Sequence, residues 1–444
     1  MPATSAGQPP GAGHLTARNA SSAEIDIMLR LALPLVLVFA SFSTAMAGNW
    51  PAWRGPSGTG ISEERNVPTE WSATENVTWK IDLTEPGNST PIVWSDRLFM
   101  TTQLDGGKQR ALQCIDRANG KILWQQSIAY DEPEPSHKTN PYCSASPVTD
   151  GKVVVAWHGS AGLFAYDLDG KELWRRDYGK FTHIWGNAAS PILHGDHVIQ
   201  HFGPGLSVLL VALNKQTGEE VWKRELPEAQ SKDEKQFLGS WSTPVLRKNG
   251  DRQELLLSLP KNLRAFDPAN GEDIWNCEGL TDLVYTSPIY GGDTVVAMSG
   301  YGGAAIAVDA PPGSKGDISD KQLWRVPRNP QRVGSGVVVG DHIYILNEPG
   351  IAECYDLQSG KSLWKERLDG ASWSSMVHAD GRLYIINMQG VTNVLEPSPD
   401  ELKVISRNVL EKNEMTRASL ALSDGQIFIR TYQHFYCVGK RTEK

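Results

Sequence analysis

Cysteine is scarce in this chain. There are five in 444 residues, no two are adjacent, and no Cys-x-x-Cys spacing occurs. That excludes a disulfide-stapled scaffold, and no His/Cys cluster has the spacing of a structural zinc site. A basic excess is also missing: Lys and Arg number 43 against 51 Asp and Glu, a net charge of −8. Residues 1–47 contribute two charges of each sign, so the remainder is equally acidic. No basic stripe appears, and nucleic acid is not an expected partner. Long apolar runs are absent apart from Leu31–Phe42, which is too short to cross a bilayer comfortably. Catalytic signatures are missing as well: no Gly-x-Ser-x-Gly, His-Glu-x-x-His, P-loop or kinase set. No catalytic residue and no metal ligand set is nominated.

Tryptophan, by contrast, is placed with regularity. Trp79, Trp124, Trp174, Trp222, Trp275, Trp324 and Trp364 fall at intervals of 40 to 53 residues. Most close a similar phrase: CIDRANGKILW at Trp124, ALNKQTGEEVW at Trp222, AFDPANGEDIW at Trp275, CYDLQSGKSLW at Trp364. Gly stands four residues before Trp at Gly120, Gly170, Gly218, Gly271 and Gly360. Asp116, Asn214, Asp267 and Asp356 stand four before that. This is hairpin chemistry. Asp or Asn caps its own turn, and Gly supplies the positive φ that reverses the chain. One repeated turn accounts for these acidic and amide side chains, so they are not read as ligands. A period of this length with an aromatic in register predicts a β-propeller.

A second phrase opens each unit. It reads STPIV from Ser89, ASPVT from Ala145, ASPIL from Ala189, STPVL from Ser242 and TSPIY from Thr286. Degenerate copies are GSGVV from Gly334, SSMVH from Ser374 and ASLAL from Ala418, making eight. Each precedes an alternating, β-branched hairpin. Eight opening strands require eight outer strands. Trp124 through Trp364 supply six, and the segment around Leu402–Ile405, without Gly or Trp, supplies a seventh. The eighth is missing at the C-terminus but present at the N-terminus as NVTWKI around Trp79. The expected fold is therefore all-β: an eight-bladed propeller with four-stranded blades, its ring closed by the N-terminal strand pairing with the C-terminal blade. Closure removes exposed sheet edges.

The N-terminal residues Met28–Ala47 have a basic start at Arg30, an apolar core and an Ala45-Met46-Ala47 cleavage pattern. They read as a signal peptide cleaved after Ala47, with Met28 as the effective start. The expected organisation is residues 1–47 as extension and leader, 48–75 as a lead-in, and 76–440 as the propeller. The mature chain is expected in the periplasm or outside the cell, as a monomer with no stable membrane span. Cys114, Cys354 and Cys437 sit in third-strand phrases, where a buried Cys acts as a small hydrophobe. Cys143 and Cys277 lie outside that position, and a disulfide between them is an open expectation.

The phrase A-x-D-x-x-[TS]-G-[KE]-x-x-W resembles the pyrroloquinoline quinone (PQQ) repeat of quinoprotein alcohol dehydrogenases and BamB-type assembly factors. The resemblance covers residues 76–438. The lead-in NWPAWRGPSGTGISEERNVPTEW is similar to that of exported PQQ-like propellers common in planctomycete-type bacteria. From quinoproteins it implies PQQ with calcium or a similar cation, a pair of adjacent cysteines and an Asp base. This chain has no adjacent cysteines. From BamB-type proteins it implies a binding platform with a lipidated Cys, also missing at the cleavage site. Three functions follow: a non-catalytic periplasmic scaffold, a PQQ-dependent oxidoreductase, or a carbohydrate-binding propeller. The partner is then a protein, a small molecule or a glycan.

The first strand of each blade starts near the axis, so residues just before the Ser-Pro phrases should rim one channel mouth. Those positions carry Tyr142, Trp185, Trp241, Tyr285, Arg332, Trp373 and Arg417, with His137, Cys143, His183 and Asn187 beside them. Aromatic faces with guanidinium groups suit a planar anion or a sugar ring. They equally suit a funnel packed between blades. The charged connections Ser127–Ser144 and Glu225–Ser240 are expected on the same face.

Overall fold

The computed structural model describes residues 48–233 and 236–441. The leader expected over residues 28–47 lies outside the described residues. Among the described residues there are strands, turns and four short 3-10 turns, with no α-helix. No helix there is long and apolar enough to cross a membrane.

The first blade comprises Ile92–Trp94, Arg97–Leu104, Gln109–Asp116 and Ile122–Ala129, each antiparallel to the next. Six more sheets repeat this order, with first strands beginning at Val148, Ile192, Val245, Ile289, Val337 and Val377. The eighth blade holds Ala421–Ser423, Gln426–Arg430 and His434–Val438, and its outer strand is Val77–Asp82. Trp79 lies opposite Cys437 and Ile81 opposite Phe435. The ring is closed by the N-terminal strand, as the count of phrases requires. The seventh blade's outer strand is Lys403–Val409, also as expected.

The repeat is explained by what surrounds each tryptophan. Trp124 of blade one donates its indole N–H to the Leu168 carbonyl in the next blade's turn, at 2.9 Å. Trp79, Trp174, Trp222, Trp324 and Trp364 donate in the same way to Arg117, Lys215, Pro268, Leu357 and Ser398. Except at Trp364, whose neighbour has no turn glycine, the turn glycine of that next blade lies against the same indole. A Cβ on Gly170 would stand 2.7 Å from the Trp124 ring, and one on Gly360 2.5 Å from Trp324. These glycines therefore serve twice, for positive φ and for close approach. Beneath each indole the facing third-strand residue is small: Cys114, Ala165, Ala212, Ala265, Ala307, Cys354 and Cys437. Three cysteines thus occupy the position where blades two to five carry alanine. The turn acids act as expected, Asp116 Oδ1 accepting from the Ala118 N–H at 2.7 Å.

Blade five departs from the rule. Its third and fourth strands are joined by a longer excursion, in which Gly316–Asp317 pairs in parallel with Trp275 and Asn276 of blade four. The usual carbonyl is displaced, and Trp275 donates instead to Glu254 Oε1 within its own blade, at 3.3 Å.

The opening phrases build the centre. The Thr90 N–H donates to the Ser146 hydroxyl at 2.9 Å, and Ser146 N–H to the Ser190 hydroxyl at 3.0 Å. The chain of bonds continues through Thr243, Ser287, Ser335, Ser375 and Ser419. The Ser419 N–H then returns to the Thr90 hydroxyl at 3.0 Å. Eight inter-blade hydrogen bonds form one closed circle.

Residues 48–76 cross the ring on the side of the strand 1–2 turns. Trp50 pairs with Val93 of blade one, Ile61 with His378 of blade seven, and Ser72 with Val409. Between them Arg54 is buried and donates to the carbonyls of Gly336 (2.5 Å) and Thr59 (2.6 Å). The channel is therefore plugged from below.

Cys143 and Cys277 do not pair. Both are buried free thiols. Cys143 lies by the Pro86 carbonyl and Arg430, while Cys277 lies on the outer strand of blade four beside Gln322. The two belong to different sectors of the ring, which rules out the bond.

Two outcomes test this architecture. Gly170→Ala should cost about 2–4 kcal/mol, from strained φ and collision with Trp124, whereas Gly195→Ala, with open space around it, should cost only about 1 kcal/mol. Urea unfolding of the two variants measures the difference, and equal losses would refute the docking role. Removing residues 77–82 strips blade eight of its outer strand and should abolish the cooperative thermal transition; an unchanged melt would refute closure.

Candidate functional site

Loops entering each first strand and loops joining strands two and three emerge on the same face. They surround a cavity of about 330 Å³ at the channel mouth. Its base is the hydroxyl circle, and Trp53 of the lead-in closes it from below. The cavity is thus a blind funnel.

Five rings form a continuous wall on one side. Trp185 stands 6.0 Å from Trp241, Trp241 stacks on Tyr285 at 4.7 Å, and Tyr285 meets Tyr301 at 4.5 Å. Tyr301 then meets Trp373 edge-on at 6.3 Å. Behind this wall His183 packs edge-on against Trp241, and the Trp241 indole donates to the Gly186 carbonyl at 2.8 Å. The opposite side is polar, with Asn88, His137, Thr139, Asn140 and Ser144. Its amides are already engaged: Asn140 donates to the Trp185 carbonyl, and Asn88 to the Thr139 carbonyl. They fix the loop from Ser127 to Ser144 in place.

Of the seven nominated rim residues, the structure gathers Trp185, Trp241, Tyr285, Trp373 and Arg417 around the funnel. The other two lie elsewhere. Tyr142 is folded inward over the Arg110 guanidinium, 4.5 Å from its ring, with Tyr130 on Arg110 at 4.6 Å. Arg110 itself pairs with buried Glu134 at 2.5 Å, so Tyr142 serves a structural ion pair. Arg332 stands over the far side of Tyr301 at 3.8 Å and pairs with Glu348 at 2.9 Å. Arg417 lies over Trp373 at 4.9 Å and hydrogen-bonds the Tyr432 hydroxyl. Among the described residues it has no carboxylate partner.

Tyr301, Trp53, Asn88 and the hydroxyl circle were not nominated. Tyr301 comes from a strand 2–3 turn, a class of loop that a rule based on first strands does not reach. Trp53 comes from the lead-in, whose path has no repeat to place it. The hydroxyls were visible: every opening phrase carries Ser or Thr at its second position.

The quinone and cation implied by quinoprotein resemblance find little to hold them. The funnel lining contains no Asp, Glu or Cys. The nearby carboxylate of Glu348 is engaged by Arg332 and by the Trp373 indole at 2.9 Å. One acidic group elsewhere, Glu411, Glu414 and His434, brings its ligand atoms within 4.8 Å. It lies on blade eight outside the funnel, and Lys80 already pairs with Glu411 at 2.6 Å.

A family model described as outer membrane protein assembly factor BamB matches residues 70–309 and 316–397. The chain belongs to that family. A protein of that name from Burkholderia pseudomallei (strain K96243) is 22% identical over 362 residues, covering 77% of this chain and 80% of the relative. The crystal structure of BamB from Moraxella catarrhalis superposes with a TM-score of 0.57 at 14% identity, covering 82% and 97% of the two chains. The quinohemoprotein alcohol dehydrogenase of Comamonas testosteroni superposes at 0.64 and 12% identity, covering 90% and 82%. At such identities the structures show a shared fold.

In this BamB-family ring, buried histidines near the funnel make stability fall in acid, His158 and His201 being the two that are fully buried. Burial, with Arg110 adding to it, pushes His158 from 6.5 down to about 3. Burial pushes His201 down to about 4, against a hydrogen bond to the Ser242 carbonyl. The unfolded chain therefore takes up these protons first. Their stabilising contribution is complete above about pH 6.5 and is lost as pH falls through 4 and 3. The slope should reach about 1.4 kcal/mol per pH unit for each histidine. Urea midpoints across this range should show it, and His201→Gln should flatten it; an unaltered slope in that variant would assign the effect elsewhere.

Proposed function

We propose that this protein is exported and acts as a non-catalytic binding platform in the periplasm. One observation carries the reading: the funnel offers recognition surface, aromatic faces with a single guanidinium, but no carboxylate or thiol, and its one imidazole, His137, is bonded to the Thr139 hydroxyl. The family membership supports it, since the matched relatives are named as assembly factors. Exposed Phe237, 5.4 Å from Trp185, and the polar residues of the 130–144 connection stand at the same mouth and offer a partner protein a mixed surface.

The second reading is an oxidoreductase using PQQ, favoured by the shared fold with alcohol dehydrogenases. A thermal-shift titration with PQQ and calcium, followed by a dye-linked alcohol oxidation assay, separates the two. The platform reading expects no cofactor-dependent turnover; saturable stabilisation with turnover would replace it by the dehydrogenase. Export is checked by cell fractionation and N-terminal sequencing, which should find Gly48 as the first residue of the periplasmic protein.

A further inference from the structure

Each hydroxyl of the central circle accepts one backbone N–H, which uses an oxygen lone pair and leaves the hydroxyl proton unspent. Among the described residues none of these eight O–H groups has a protein acceptor. Thr90, Ser190, Thr243, Ser375 and Ser419 line the funnel, yet each is at most 5% exposed. Beyond their structural bond, these five hydroxyls face the cavity and can each donate to an acceptor that enters it. Arg417 adds a charge of the same sense. Its Nε is buried without a partner, and no carboxylate neutralises it. The lining contains no Asp or Glu. Donors converge on this cavity, and side chains of negative charge are kept out of it.

We propose that the funnel binds an acidic sugar: a pyranose ring carrying a carboxylate or a sulfate. The anionic group faces Arg417 and the hydroxyl circle. The sugar's C–H face lies on the aromatic wall. A flat heteroaromatic sandwiched on both faces would need a parallel-sided slot, and the wall is not one. Its rings turn against each other by 45° (Trp185–Trp241), 42° (Tyr285–Tyr301) and 63° (Tyr301–Trp373). The one parallel pair, Trp241 and Tyr285, is closed on itself at 4.7 Å. A pyranose needs a single aromatic face, and its remaining hydroxyls exchange hydrogen bonds with groups that both donate and accept. The serines and threonines of the base are such groups. The Arg417 guanidinium, held over Trp373 and bonded to the Tyr432 hydroxyl, lines the cavity and supplies the positive charge for a carboxylate or sulfate.

This inference rests on the binding role proposed above and names the ligand class of that site. The purified exported protein is titrated calorimetrically with tetragalacturonate as the carboxylate arm, a carrageenan tetrasaccharide as the sulfate arm, and maltotetraose as the neutral comparator. One acidic oligosaccharide should bind at least about tenfold more tightly than the neutral one. Arg417→Ala should erase that preference with an unchanged melting temperature, and Arg417→Lys should restore part of it. Tyr301→Ala, on a 40% exposed side chain, should weaken all the oligosaccharides together without loss of fold. Binding of none of the three, or equal binding of neutral and acidic sugars, overturns the proposal, as does saturable binding confined to PQQ in the absence of calcium. Loss of the sugar alone leaves the platform reading intact, whereas PQQ-dependent turnover removes that reading whatever the sugars do.

Discussion

Eight backbone N–H groups, each given to the hydroxyl of the next blade, tie this ring at its narrowest point. Every bond joins two different sheets, and the last joins the last blade to the first. None of them can form until neighbouring blades are docked. Individually such bonds contribute about 0.5–1.5 kcal/mol. Their effect is larger because they fix the distance between first strands, and every outer contact inherits that spacing. The tryptophan docking at the periphery works only if the indole of one blade arrives at the turn glycine of the next. An inner circle of constant step makes one peripheral motif reusable around the ring.

The outer layer tolerates exceptions that the inner one does not. Blade five has lost its turn glycine to an inserted excursion, and Trp275 finds a carboxylate in its own blade instead. Blade seven has no tryptophan on Lys403–Val409, and Val404 and Ile405 stand exposed there. At the centre all eight hydroxyls are present, even where the proline of the opening phrase has become Gly336, Met376 or Leu420. The hydroxyl, not the proline, is the element the ring requires. The closing strand shows the same priority. Trp79 comes from the far end of the chain, yet it sits over Cys437 and donates to Arg117 like any other docking tryptophan.

Periodicity made the fold legible, because a period is a statement about neighbours. The blade count, the split last blade and the small residue beneath each indole all follow from residues that recur in register. What does not recur could not be placed. Trp53 reaches the funnel floor through a single crossing of the ring, and no second copy of that crossing exists to reveal its path. Tyr142 and Arg332 occupy rim positions by count, but a buried acid below one and Glu348 beside the other draw them away. Register tells where a Cα lies; a charged group within reach decides where a long polar side chain goes. Cys143 and Cys277 show the complementary limit, since two residues outside the repeat carry no information about their separation.

The same plug that hid Trp53 from the sequence changes what the channel can do. An open propeller bore is wet at both ends, and hydroxyl protons lining it would be satisfied by water at no net gain. Here Trp50, Arg54 and their neighbours seal one end, with Trp50 fully buried and Arg54 bonded to the Gly336 carbonyl. The donors at the base therefore lie at the floor of a one-sided pocket, walled on one side by aromatic rings. Arg417, held by Tyr432 and Trp373 with no carboxylate partner among the described residues, is the one guanidinium lining that pocket. Under the proposed reading, a ring that needs hydroxyls to hold its blades together acquires, once its floor is closed, a surface that receives negative charge.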